Sequence, residues 1–165
     1  MALLAGAEPA QGKTMPPGID QPAVSSGTMP PPFEGAAGYL FVSYKHNDAS
    51  RIGPLLEVVR SLGYNVWYDA GIPGGSEWDA VIEERVRNAD ALIMFLSREA
   101  VLSKYVRREI KYADMIDKPI LTIRLEEAEL SHGLGMLLTT YQMVDPPNTE
   151  AGREALVRAL RYLRG

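Results

Sequence analysis

A chain of 165 residues, 46% hydrophobic and 23% charged, has the composition of one globular domain and is too short for two comfortable ones. Its net charge of −4, with 17 basic residues interleaved among 21 acidic ones, leaves no clustered Lys/Arg face for a nucleic acid. With no cysteine and only His46 and His132, disulfides, thiolate metal sites, iron–sulfur clusters and a cysteine nucleophile are excluded, and a metal site is not expected.

Residues 1–37 hold seven of the twelve prolines and only Glu8, Lys13, Asp20 and Glu34 as charges. So few large apolar residues cannot offset ordering entropy, and a disordered tail is expected, with Met29-Pro30-Pro31-Pro32 able to form polyproline II. The opening Met1-Ala2-Leu3-Leu4-Ala5-Gly6-Ala7 lacks the basic start of a signal peptide. No apolar run approaches the ~20 residues of a membrane helix, so a cytoplasmic protein with no membrane partner is expected.

From Gly38 the pattern changes. Five short strand-like runs, 39–44, 65–69, 91–96, 119–124 and 140–144, alternate with segments of helical period. The third, Ala91-Leu92-Ile93-Met94-Phe95-Leu96, is apolar throughout, as in a parallel strand covered on both faces. Between the first two, Ile52, Leu55, Leu56, Val59 and Leu62 share a face and Gly63 supplies a stop. Pro54 is tolerated in a first turn, so this helix is expected to start at Ser50. Trp78, Val81, Ile82 and Val86 form a second stripe; Ala100, Val101, Tyr105, Val106, Ile110 and Ala113 form a third. The segment 125–138 reads as a short helix or irregular connection, and a last helix runs from Thr149 to Leu163.

Alternating β and α of this kind predicts a doubly wound α/β domain: a flavodoxin-like, five-stranded parallel sheet with helices on both faces over 38–165. Ligands gather outside the carboxyl ends of such strands. Those ends bring Ser43, Tyr44, Lys45, Asp69, Ser97 and Arg124 to one rim. Gly133-Leu134-Gly135 lacks the third glycine and the preceding strand of a dinucleotide fingerprint.

Residues 38–164 resemble a TIR domain, most closely the bacterial type. The resemblance rests on Phe41-Val42-Ser43-Tyr44, on Gly63-Tyr64-Asn65-Val66-Trp67-Tyr68-Asp69, on the loop Ile72-Pro73-Gly74 to Trp78, on Asn88-Ala89-Asp90 with Leu96-Ser97, and on Ser103 to Glu109. It implies cleavage of NAD+ as substrate, with no separate cofactor, releasing nicotinamide and ADP-ribose or a cyclised form. The family's catalytic glutamate falls on Glu109 and its serine on Ser103. Tyr105 stands where a tryptophan is common. The resemblance also implies activation by homo-oligomeric self-assembly through the loop carrying Pro73, Gly74, Gly75 and Trp78, with a sensor or activator protein as a further partner. A role in phage defence or as a secreted effector fits such a domain.

The chemistry is consistent with these residue types. Breaking a nicotinamide–ribose bond builds positive charge on the sugar, which a carboxylate stabilises. Tyr105 and Glu109 are four residues apart and share a helix face. Several positions carry two readings. Ser103 is an active-site serine or an N-cap; Tyr105 is a base-stacking ring or core. Lys45 is a pyrophosphate contact beside Tyr44 or a surface lysine. Trp67 packs in the core or reaches the ligand. Asp69 caps the loop backbone or holds a ribose. Trp78 anchors its loop to the core or meets a partner. A non-catalytic TIR–TIR adaptor and a deoxyribosyltransferase-like enzyme are the alternative functions.

Overall fold

The structure, a computed structural model, describes residues 28–71 and 76–163. Five strands form one sheet: β1 (Leu40–Ser43), β2 (Val66–Trp67), β3 (Ala91–Leu96), β4 (Ile120–Arg124) and β5 (Gln142–Val144). All neighbours pair parallel, in the order β2-β1-β3-β4-β5. The helices are α1 (Ala49–Ser61), α2 (Ser76–Asn88), α3 (Arg98–Leu102), α4 (Lys104–Met115), α5 (Leu134–Leu138) and α6 (Glu150–Tyr162). This is the doubly wound α/β architecture expected from the alternation of apolar strands and amphipathic segments.

Strand alternation divides the core into two layers. Leu40, Val42, Ile93 and Phe95 face α1 and α6, meeting Ile52, Leu56, Leu156 and Leu160. Phe41, Leu92, Met94 and Leu96 face the other way, onto Val86, Val106, Ile110 and Leu134. The unbroken apolar run of β3 is thereby explained, since all six of its residues are buried between the layers.

Two helix boundaries differ from expectation. A single 3₁₀ turn over His46–Asp48 leads directly into α1, which starts at Ala49. Pro54 therefore lies in the second turn and not the first. Its missing N–H deprives the carbonyl of Ser50, an exposed residue open to water. The third apolar stripe is split at Ser103, whose backbone is extended (φ −70°, ψ 119°) and which ends α3 and begins α4.

The domain also begins earlier than the expected boundary at 37/38. Residues 28–37, assigned by composition to a disordered tail, form a strap across the open edge of β2. The Phe33 N–H donates to the Val66 carbonyl at 2.8 Å, which pairs an otherwise bare strand edge. Met29 packs on the α1/α6 layer and Phe33 on the opposite one. The Thr28 carbonyl oxygen lies 2.6 Å from where a Cβ on Gly53 would stand, so only glycine admits the strap against α1. The disorder expected of residues 1–27 falls outside the described residues. No helix among the described residues is long and apolar enough to cross a membrane.

Candidate active site

β1 and β2 end side by side, and the segments that leave them diverge around a cleft of about 670 Å³. Tyr44, Lys45 and Asp69 line it from the strand ends, Trp78 from α2, and Tyr105 and Glu109 from α4. The sheet crossover thus gathers side chains from distant stretches of sequence at the carboxyl rim, as this topology requires.

Glu109 sits on α4 beside the buried stripe Val106, Ile110 and Ala113 that docks this helix on the sheet. That docking sets the carboxyl over the end of β1. Ser43, the last residue of β1 and 1% exposed, donates its hydroxyl to Glu109 Oε2 at 2.5 Å. Burial pushes the Glu109 carboxyl up from the ordinary glutamate range to about 7, and the negative charge of Asp69 adds to the rise. The Ser43 hydrogen bond and the Arg108 guanidinium oppose it. A carboxyl held near neutrality in a concave site differs from one on a solvated helix face.

Asp69 organises the loop leaving β2. Its Oδ1 accepts from the Gly71 N–H at 2.9 Å and its Oδ2 from the Trp78 indole N–H at 3.3 Å. Gly71 has φ +93°, a conformation that glycine adopts without strain. Both carboxylate oxygens are committed to the loop, so capping is the role of Asp69 that the geometry shows. Trp78 is partly buried against the α2–α4 layer and anchors the loop to its own core. Pro73, Gly74 and Gly75, assigned to an assembly loop, lie outside the described residues.

Tyr44 donates its hydroxyl to the Asp69 carbonyl at 3.1 Å, and burial raises the pKa of its phenol. Ser103 lines the cleft and its Oγ accepts from the Val106 N–H at 3.4 Å, so it is an N-cap at the cleft wall. Tyr105 is 54% exposed, which removes the reading of it as core; its ring stands at the cleft with the Lys104 ammonium 5.1 Å from its centroid. Arg108 is held by Asp79 at 2.8 Å across the α4–α2 gap.

Trp67 does not line the cleft, so of its two readings the substrate contact fails and core packing stands. It is 4% exposed, tilted against Phe41 at 5.4 Å, and covered by the Arg85 guanidinium 5.0 Å from its ring centroid. Alternation along β2 turns it into the layer under α2. Ser43 is the site residue that sequence reasoning placed on the rim without giving it a role. Its signal is a small hydroxyl residue closing an otherwise apolar strand; its partner follows only from how α4 crosses the sheet. Among the described residues no group of three or more His, Asp or Glu is arranged to hold a metal ion.

The fold and the rim together define a TIR-type α/β domain. A family model described as "TIR domain" matches residues 40–160, and the chain belongs to that family. The TIR domain of the Toll-related receptor TRR-2 from Hydra magnipapillata superposes with a TM-score of 0.59 at 16% identity, covering 76% of this chain and 98% of that one. The CMP N-glycosidase BcmB from Clostridium botulinum superposes with a TM-score of 0.54 at 19% identity, covering 72% of this chain and 97% of that one. A comparison with curated protein sequences returned no match.

Proposed function

We propose that this TIR domain is an N-glycosidase that hydrolyses the nicotinamide–ribose bond of NAD+, with Glu109 as the catalytic carboxylate. The observation that carries the reading is the half-buried Glu109 carboxyl, hydrogen-bonded by Ser43 in the cleft at the ends of β1 and β2. The fold neighbour named as a CMP N-glycosidase supports the same bond class, a ribosyl C1′ joined to a ring nitrogen.

The cleft chemistry follows from charge. As the C–N bond breaks, its electron pair leaves with the nicotinamide nitrogen, which becomes neutral. The C1′ centre acquires oxocarbenium character, and the ionised Glu109 carboxylate stabilises it. Water then bonds to C1′ and loses a proton, so that NAD+ and water give nicotinamide, ADP-ribose and a proton. Tyr105, exposed beside the carboxylate, offers a ring face to a base. Lys45 supplies positive charge at the rim for the pyrophosphate, and Ser103 completes the wall. Self-association through the loop after β2 raises activity in this reading, since Gly71 and Trp78 at the described ends of that loop line the cleft.

The test is nicotinamide release from NAD+ by the purified full chain across a range of protein concentrations, with CMP assayed in parallel. Nicotinamide is expected, at a rate per protomer that climbs with concentration. Glu109→Gln is expected to lower it by roughly 10²–10³-fold. Cytosine from CMP alone would move the substrate class and keep Glu109. Absence of cleavage at every concentration would leave an interaction module, and undiminished cleavage by Glu109→Gln would remove the mechanism.

A further inference from the structure

We infer that Ser43 is a positioning residue that pins one oxygen of Glu109 and reserves the other for the reacting sugar. The inference rests on the reading of Glu109 as the catalytic carboxylate. Its basis is the asymmetry between the two carboxyl oxygens. Oε2 receives the Ser43 hydroxyl at 2.5 Å. Oε1 receives no hydrogen bond among the described residues. It is not sealed in the core either, because the buried side-chain oxygen lacking a partner there is Thr122 Oγ1. Oε1 is therefore the oxygen open to the cleft.

Ser43 is suited to this task by where it stands. Its backbone is fixed in the sheet opposite Met94, and its side chain is 1% exposed. A hydroxyl carries one donor hydrogen, and here that hydrogen is spent on Oε2. A glutamate side chain on a helix otherwise rotates freely about its terminal torsion, which is broad and roughly two-fold. The bond from Ser43 stops that rotation and favours the ionised form, since a donor to a carboxylate stabilises the charge. It also dictates where a proton sits when Glu109 is neutral: on Oε1, facing substrate, because Oε2 is already accepting.

Other charges face the same carboxyl. Asp69 at the end of β2 pushes its titration up, and Arg108 on α4 pulls it down. Lys45, Asp79 and Lys111 line the same cleft. Ser43 differs from these in making direct contact, so its removal is separable from theirs.

The experiment is a ¹³C titration of the Glu109 side-chain carboxyl in the full chain, comparing wild type, Ser43→Ala and Ser43→Thr, together with kcat and KM for NAD+. In Ser43→Ala the Glu109 midpoint is expected to rise by about one pH unit, as loss of a charge-assisted hydrogen bond implies. kcat should fall roughly 10- to 100-fold, the scale of misplacing a reacting group, with KM changing far less. Ser43→Thr keeps the hydroxyl and should restore the midpoint. A merely structural serine would lower thermal stability and leave the titration where it was, and that result overturns the inference whether or not NAD+ is cleaved. If the midpoint moves as expected but wild type cleaves no NAD+, the substrate reading fails and the hold of Ser43 on Glu109 stands.

Discussion

Tyr44 and Tyr68 meet edge to face, their ring centroids 5.9 Å apart at 83°. The contact ties the cleft to the N-terminal strap. Tyr44 lines the cleft, while the Tyr68 hydroxyl reaches the opposite way and donates to the Pro30 carbonyl at 2.5 Å. The strap thus buttresses a wall of the site through two phenols packed edge to face.

A chain that begins at residue 38 loses that buttress, together with the apolar contacts of Met29 and Phe33 and the hydrogen bond to β2. These partly buried groups sum to a loss on the order of 3 kcal/mol. Thermal unfolding of chains starting at residues 28 and 38 checks this. The longer should melt close to the full chain, and the shorter well below it. Coincident curves would mean the strap is ornamental to the fold.

The proposed chemistry needs ionised Glu109, and its carboxyl titrates near 7. Activity on NAD+ is therefore expected to rise with pH through about 7 and to level off above it, unlike a carboxylate of ordinary acidity, which would be fully ionised by pH 6. A kcat/KM profile from pH 5 to 9 reads the midpoint of the free enzyme. A flat profile over that span would separate catalysis from this group.

The same elevation has a consequence for stability, with the opposite sense. The native state keeps the Glu109 proton to about 7, whereas the unfolded chain releases it near the ordinary glutamate value of 4.5. Between those two values the native state binds more protons, so this group's contribution to stability declines as pH rises and is gone above the folded value. Glu109→Gln removes that slope. The variant should gain on wild type as pH goes from 4.5 to 7 and hold a constant advantage beyond. At this chain length each kcal/mol reads as roughly 2–4 °C in Tm. Parallel melting curves at pH 5 and pH 8 test it, and an unchanged difference between the two proteins counts against a buried, elevated carboxyl.

What the sequence made legible was what depends on local pattern. β3 was readable to the residue because two-sided burial demands an unbroken apolar run. Glu109 and Tyr105 were placed together because helical spacing puts them on one face, and Ser103 could be seen as a cap because an N-cap needs only the three residues after it. β2 came out as two residues where five were expected, since Asp69 turns the chain to cap Gly71 and ends the ladder early. Trp67 kept a substrate reading beside the core one because nearness to the rim along the chain does not say which face of the strand a side chain takes. The strap escaped notice because proline-rich composition describes the cost of ordering and not the open edge that repays it. Ser43 and Glu109 are 66 residues apart, and nothing local couples them.

Asp69 separates two explanations that the sequence left side by side. As a loop cap, it holds the Gly71 N–H and the Trp78 indole, and its charge raises the Glu109 titration. Asp69→Asn keeps a carbonyl oxygen for the stronger, 2.9 Å bond to Gly71 and gives up the 3.3 Å bond to Trp78 along with the charge. It is expected to cost under about 1 kcal/mol and to move the pH midpoint of activity downward, since the repulsion on Glu109 is gone. Asp69→Ala also lowers the midpoint, but strips both donors of their acceptor and should cost roughly 1–3 kcal/mol more. Had the carboxylate instead held a ribose hydroxyl, both variants would raise KM for NAD+ together. Measuring KM, the pH midpoint and Tm across the pair tells the two roles apart, because only the capping role orders Asn and Ala by stability while shifting the midpoint in both.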